Sequence, residues 1–208
     1  MKENDFDRLS YALGLSMGHN FRASGIDRIN TRDFADGVAA VYEGKSMRMS
    51  FDEAKQTVNE FFTALQQKQQ EEASAMANVN EKAGKDFLEV NGKRPEVKTT
   101  ASGLQYEILS EGTGSCPTAS DRVVVHYTGK LIDGTVFDSS VERGEPATFG
   151  VTQVISGWVE ALQLMKVGAK WRLFIPSNLA YGPQGAGGVI GPNQTLIFDV
   201  ELIEIVGK

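Results

Sequence analysis

Apolar side chains recur at helical steps through the first ninety residues and at alternating steps beyond about residue 103. Phe6, Leu9, Leu13, Met17 and Phe21 fall three or four apart and predict a helix with one apolar stripe. Gly25 fits the C′ position that ends it. Asn30 can cap a second helix, through about Gly44, that turns Phe34, Val38 and Val41 inward. Ser50-Phe-Asp-Glu53 is a capping box and predicts the start of a third. No breaker follows until Gly84, so this helix is expected to reach about residue 90; such a run spans roughly 60 Å. Its stripe is uneven. Val58, Phe61, Phe62 and Leu65 keep helical spacing, but Gln66 to Ala75 holds no large apolar side chain and reads as a stalk.

The second half follows a period of two. Leu104, Tyr106 and Ile108 alternate, as do Val123, Val125 and Tyr127. Asp133-Gly134 lies between apolar runs ending at Leu131 and Phe137 and signals a hairpin. Trp171, Leu173 and Ile175 form a further strand stopped by Pro176, and Leu196, Phe198, Val200 and Leu202 form the last. Only Gly157 to Met165, with Trp158, Leu162 and Met165 apolar, reads as a helix. The expected fold is therefore α+β: an all-α N-terminal part with a long helix, then an antiparallel sheet wrapped on one short helix. The proline distribution agrees, because all six prolines lie at position 95 or later. The expected division is 1–90 for the helical part, 91–102 for a linker and 103–208 for the sheet domain.

Three short stripes make a thin core for the first 65 residues, and small domains of this kind often need help. Ser10, Gly14 and Gly18 sit four apart and would let helices cross closely. These features favour homodimerisation through the N-terminal helices over a monomeric hairpin packed on the second half.

Composition narrows the partners. The 208 residues carry a net charge of −6, which disfavours nucleic acid and anionic membrane surfaces. No run of 18 apolar residues exists, and the acidic start offers no leader, so the expected location is cytoplasmic, or periplasmic or at the surface if a leader has been removed. The one cysteine, Cys116, precludes an internal disulfide.

The glycine-rich stretch from Ala180 to Pro192 raises the question of a phosphate loop. Its spacing excludes one: after Gly185 and Gly187 the third glycine position holds Ile190, and a strand rather than a helix follows. Gly44 to Ser46 also fails as a P-loop, since the earlier glycine position holds Ala39. Covalent and metal chemistry find no constellation either. His19 and His126 are isolated, Cys116 has no neighbouring base, and no serine sits in a G-x-S-x-G elbow. What remains is aromatic: Tyr127, Phe137, Phe149, Trp158, Tyr181 and Phe198, with Asp138 directly after Phe137. Any one of them alone is most simply core. Together with a glycine-rich loop carrying Val189 and Ile190, they describe an apolar pocket with few polar groups.

The stretches VVVHYTGKLIDGTVFDSS, VISGWVEALQLMKVGAKWRLFIP and AYGPQGAGGVIGPNQTLIFDVELIEI closely resemble the FKBP-type peptidyl-prolyl cis–trans isomerases, over about Ser102 to Val206. LSYALGLSMGHNF and the long helix are similar to the dimerising N-terminal domain of the Mip-like and FklB-like bacterial branch. The resemblance implies a pocket of Tyr127, Phe137, Asp138, Phe149, Val154, Ile155, Trp158, Tyr181 and Phe198. Arg143 would pair with Asp138, and Ala180, Val189 and Ile190 would line the rim. It implies cis–trans isomerisation of proline-containing polypeptides, no cofactor, and binding of macrolides such as tacrolimus and rapamycin. Ala147, Ala186 and Gly191-Pro192 depart from the family pattern at the rim, where substrate or inhibitor preference would change first. The rival is a chaperone or binding module that holds proline-containing unfolded segments without catalysis.

Overall fold

The computed structural model describes residues 6–207; the acidic start at positions 1–5 lies outside them. The chain divides into two compact units, Met1–Gln69 and Gln70–Lys208.

The first unit holds α1 (Arg8–Ala23), α2 (Thr31–Tyr42) and the beginning of α3 (Phe51–Asn91). Each start is made by the side chain that the sequence offers. Asp7 accepts from the Ser10 amide at 2.6 Å, and Asn30 accepts from Arg32 and Asp33. Ser50 and Glu53 close a reciprocal box, with the Ser50 amide donating to Glu53 at 2.7 Å and the Glu53 amide donating to the Ser50 hydroxyl at 3.2 Å. At the end of α1, Gly25 takes φ +81°, its amide reaches Arg22 O, and the Ile26 amide reaches Phe21 O. That paired pattern needs a left-handed C′ residue, which glycine adopts without penalty. Phe21 and Phe34 meet edge to face at 5.5 Å. Even so, no described residue from 6 to 69 is buried. The stripes of α1 and α2 stay largely open, from Leu9 at 69% to Phe34 at 37% exposure.

The second unit holds the rest of α3 and one antiparallel sheet. Its strands are β1 (Val97–Thr99), β2 (Gln105–Ser110), β3 (Arg122–Leu131), β4 (Val136–Ser139), β5 (Ala147–Gly150), β6 (Lys170–Ile175) and β7 (Leu196–Ile205). The order is β1-β2-β6-β7-β3-β4, with β5 also paired to β3. Strict alternation along β3 buries Val123, Val125 and Tyr127 on the face that α4 (Ser156–Leu164) covers. From β7, Leu196, Val200 and Leu202 complete that core, and Leu162 and Met165 meet them from α4 and its C-terminal end. The Asp133-Gly134 turn closes the β3–β4 hairpin, with Gly134 at φ +91°.

Two short strands lie where no pattern marked them. β1 falls inside the segment expected as a linker and pairs with β2, and β5 pairs with β3. The division between units lies within α3, and the last turns of that helix pack on the sheet. There Phe87 meets Phe174 at 5.9 Å. The buried Asn91 donates to Gln105 at 2.8 Å, and Gln105 donates back to Leu88 O at 2.9 Å.

Candidate active site

A cavity of about 610 Å³ opens between α4, the inner face of β3 and β7, and the loop before β7. Trp158 lies at its base, 3% exposed, because the first turn of α4 presses onto the sheet. Gly157 makes that approach possible: a Cβ there would fall 2.6 Å from Ile175 Cγ2. Three rings surround the indole edge to face: Tyr127 at 5.3 Å, Phe198 at 5.3 Å and Phe149 at 6.0 Å. Phe137 reaches the wall by lying over Gly129, where a Cβ would come within 2.6 Å of its ring. It then meets Phe198 edge to face at 5.5 Å. Perpendicular ring pairs of this kind lock each other's orientation as well as adding apolar surface.

One charged group faces the cavity, and it is held from two sides. The Tyr127 hydroxyl donates to Asp138 Oδ2 at 2.5 Å, and the Arg143 guanidinium pairs with the other carboxylate oxygen. Arg143 also donates to the Tyr127 hydroxyl at 3.0 Å and stands over its ring at 5.7 Å. Burial pushes the Asp138 carboxyl up. The hydrogen bonds from Tyr127 and Arg143 outweigh it and hold the group below the ordinary carboxylate range. Burial, then the bond to Asp138, raises the Tyr127 phenol, which therefore stays a donor. Val154 and Ile155 form the lip before α4; among the described residues the Ile155 amide has no partner.

The loop after β6 closes the other side. Ala186 and Ile190 exchange backbone hydrogen bonds at 2.8 and 3.0 Å, which makes a small flap with Gly187, Gly188 and Val189 at its tip. Ile190 is 8% exposed and packs inward, whereas Val189 and Tyr181 are open to solvent.

Of the residues singled out from sequence, Tyr127, Phe137, Asp138, Phe149, Val154 and Ile155 line the cavity. So do Trp158, Tyr181, Val189, Ile190 and Phe198. Arg143 stands behind, acting on Asp138 and Tyr127. Ala180 is not on the lining; it packs against the core just before Tyr181. Gln153 and Gly187 line the cavity without having been singled out, and Ala186, noted only as a departure, lines it too. Gln153 ends a single turn of 3₁₀ helix, Val151–Gln153, too short to carry a period. Among the described residues no cluster of three or more metal-ligating side chains occurs, and no helix is long and apolar enough to cross a membrane.

No serine, cysteine, histidine or lysine lines the cavity among the described residues. The geometry is that of an apolar, aromatic cavity with one fixed carboxylate on its wall. Comparison with known proteins gives the particular family. The profile described as FKBP-type peptidyl-prolyl cis-trans isomerase matches residues 114–203, and that of the domain amino-terminal to it matches residues 6–108. The FKBP-type 22 kDa peptidyl-prolyl cis-trans isomerase of Escherichia coli is 46% identical over 197 residues, which cover 95% of this chain and 94% of that one. The outer membrane protein MIP of Legionella longbeachae is 46% identical over 201 residues, 97% of this chain and 86% of that one. The crystal structure of FkpA from Escherichia coli superposes with a TM-score of 0.72 at 40% identity, covering 98% of this chain and 97% of that one. The chain belongs to the FKBP-type peptidyl-prolyl cis–trans isomerases.

Proposed function

We propose that the Trp158 cup isomerises Xaa-Pro bonds by binding the twisted amide better than the planar one. The barrier is about 18–20 kcal/mol because resonance keeps the amide flat and polar. Rotation reduces that charge separation. Apolar walls therefore penalise the planar state more than the twisted one, which is differential binding without a covalent step. Trp158 serves as the floor under the proline ring, with Phe137, Phe149, Val154 and Phe198 as walls. The Ile155 amide and the Tyr181 hydroxyl hold substrate carbonyls. Asp138, kept ionised and oriented by Arg143 and Tyr127, acts on the substrate amide. Val189 and Ile190 touch the flanking residues, and Ala180 supports the rim. The observation that carries this reading is the ring cluster around Trp158 with one pinned carboxylate beside it.

Tacrolimus and rapamycin are the proposed inhibitors of the same cup. The test is the cis-to-trans rate of a Leu-Pro or Phe-Pro peptide, with and without rapamycin, beside Phe137→Ala. The expected result is acceleration that both the drug and the substitution remove. No acceleration, from protein that still holds an unfolded client, would establish the chaperone instead.

Dimerisation through α1 and α2 is supported by their open apolar stripes. The functional division we propose keeps dimerisation within 1–90 and catalysis within 103–208, joined by 91–102. Proline-containing polypeptides are the proposed substrates. A cytoplasmic location is proposed, with a periplasmic or surface location as the alternative; cell fractionation separates the two.

A further inference from the structure

The flap is tied to α3 at a point that the pocket chemistry does not use. Asn80, half-buried on α3, donates from Nδ2 to Pro192 O at 2.9 Å, across 112 positions of sequence. Pro192 sits two residues after Ile190 of the flap. The next residue, Asn193, has φ +54° and is the one non-glycine with positive φ among the described residues. Its amide donates to Gly182 O at 2.8 Å, and Gly182 follows Tyr181. One side-chain bond thus fixes the trailing limb of the flap, and a backbone bond next to it fixes the leading limb at the pocket tyrosine.

The approach is close on both sides. A Cβ on Gly191 would fall 3.3 Å from Asn80 Nδ2 and 3.5 Å from Met76 Sδ. One turn further along α3, Gly84 lies so near the residue that leads into β7 that a Cβ would meet Thr195 Oγ1 at 2.2 Å. Phe87 against Phe174 and Asn91 against Gln105 hold the last turns. Asn80 therefore projects from a seated helix, while what it holds is a glycine-rich loop with Gly185, Gly187 and Gly188 all at positive φ. Such a loop loses much conformational freedom when it orders on a ligand.

We propose that Asn80 is a positioning residue for the substrate flap: by fixing Pro192 it keeps Ile190 and Tyr181 in place before substrate arrives. The proposal rests on the isomerase reading above. Flap contacts are made in the ground state and the transition state alike, so their loss belongs in KM rather than kcat.

The test compares the full-length protein with Asn80→Ala and Asn80→Asp, the second keeping size without the donor. Amide hydrogen exchange at Ile190 and Asn193 is read beside amides of β6 and β7, together with KM, kcat and Tm on an Xaa-Pro peptide. In both variants, flap exchange and KM should rise about five- to tenfold, the loss of one hydrogen bond, with kcat unchanged, Tm lowered by no more than about 2–4 °C and sheet exchange less affected than flap exchange. Flap exchange and KM equal to the unsubstituted protein would overturn the proposal. So would an equal rise throughout β6 and β7, which marks general loosening, or an Asn80→Asp variant indistinguishable from the unsubstituted protein. Absence of turnover in the unsubstituted protein would sink the isomerase reading and with it the substrate role of Asn80. Unchanged flap exchange in a protein that turns over would sink Asn80 alone.

Discussion

Residues 6–69 and residues 70–207 are equally well made locally and differ in what they bury. Asp7, Asn30 and the Ser50–Glu53 box cap the three helix starts of the first region. Yet Leu9 and Val41 remain 69% and 59% exposed there. In the second region Leu104, Val123 and Val151 are fully buried. Caps are worth about 1 kcal/mol each, whereas burying one large apolar side chain contributes about 1.5–3 kcal/mol. Good helix ends decide where an element begins; burial decides whether it persists. The second region carries its own core, and the first leaves its stripes open.

The largest effect should come from breaking each region at its source of burial. Leu162→Ala removes a 1%-exposed side chain from the sheet core and should cost about 2–5 kcal/mol of unfolding free energy, whatever the protein concentration. Phe34→Glu on α2 should instead break the proposed dimer, read as a lower mass in sedimentation than the unsubstituted protein, and leave the pocket's specific activity intact. A concentration-independent loss for Phe34→Glu would erase the contrast between the regions.

A smaller effect sharpens the role of α3. Gly84→Ala gains about 1 kcal/mol of helix propensity. It also drives a Cβ to 2.2 Å from Thr195 Oγ1, and overpacking a fitted site costs about 1–3 kcal/mol. The net change in thermal unfolding should be destabilising. Adding Thr195→Ala removes the clashing oxygen and should recover most of the loss. A stabilised Gly84→Ala single variant would mean that α3 is not seated as described.

The smallest effect concerns charge. Asp138 is held below its ordinary range in the folded protein, so it binds its proton less readily than the unfolded chain does. Its contribution to stability is present above the unfolded value, near pH 4, and is lost as pH falls through the lower folded value. The isomerisation rate should therefore show no Asp138 ionisation between about pH 5 and 8. Arg143→Leu removes one of the two groups that oppose burial, so the acid limb of the profile should move to higher pH. An unmoved limb would mean that Tyr127 alone sets the carboxylate.

Where a feature has a period or a named local partner, it was legible without coordinates. Gly25, Asn30 and Ser50 ended or began helices as their chemistry dictates, and Asp133-Gly134 turned a hairpin. The aromatic set was legible through its long motifs, and eleven of the thirteen positions singled out line the cavity. β1 and β5 were not, because three or four residues are too few to show alternation. Ala180 fell just outside the lining because a rim position is set by how the chain bends, which no motif states.

The amino-acid sequence by itself determined the two-part organisation, the helix ends and the alternation of the central strands. Those properties depend on near neighbours along the chain, where spacing and residue type suffice. Tertiary structure decided that the last turns of α3 belong to the sheet, that three rings stand edge-on around Trp158, and that Asn80 reaches Pro192 across 112 positions. Each of these depends on how closely two backbones approach. That distance was set by single missing Cβ atoms at Gly84, Gly129 and Gly157, whose meaning appears only when the opposing surface is in place.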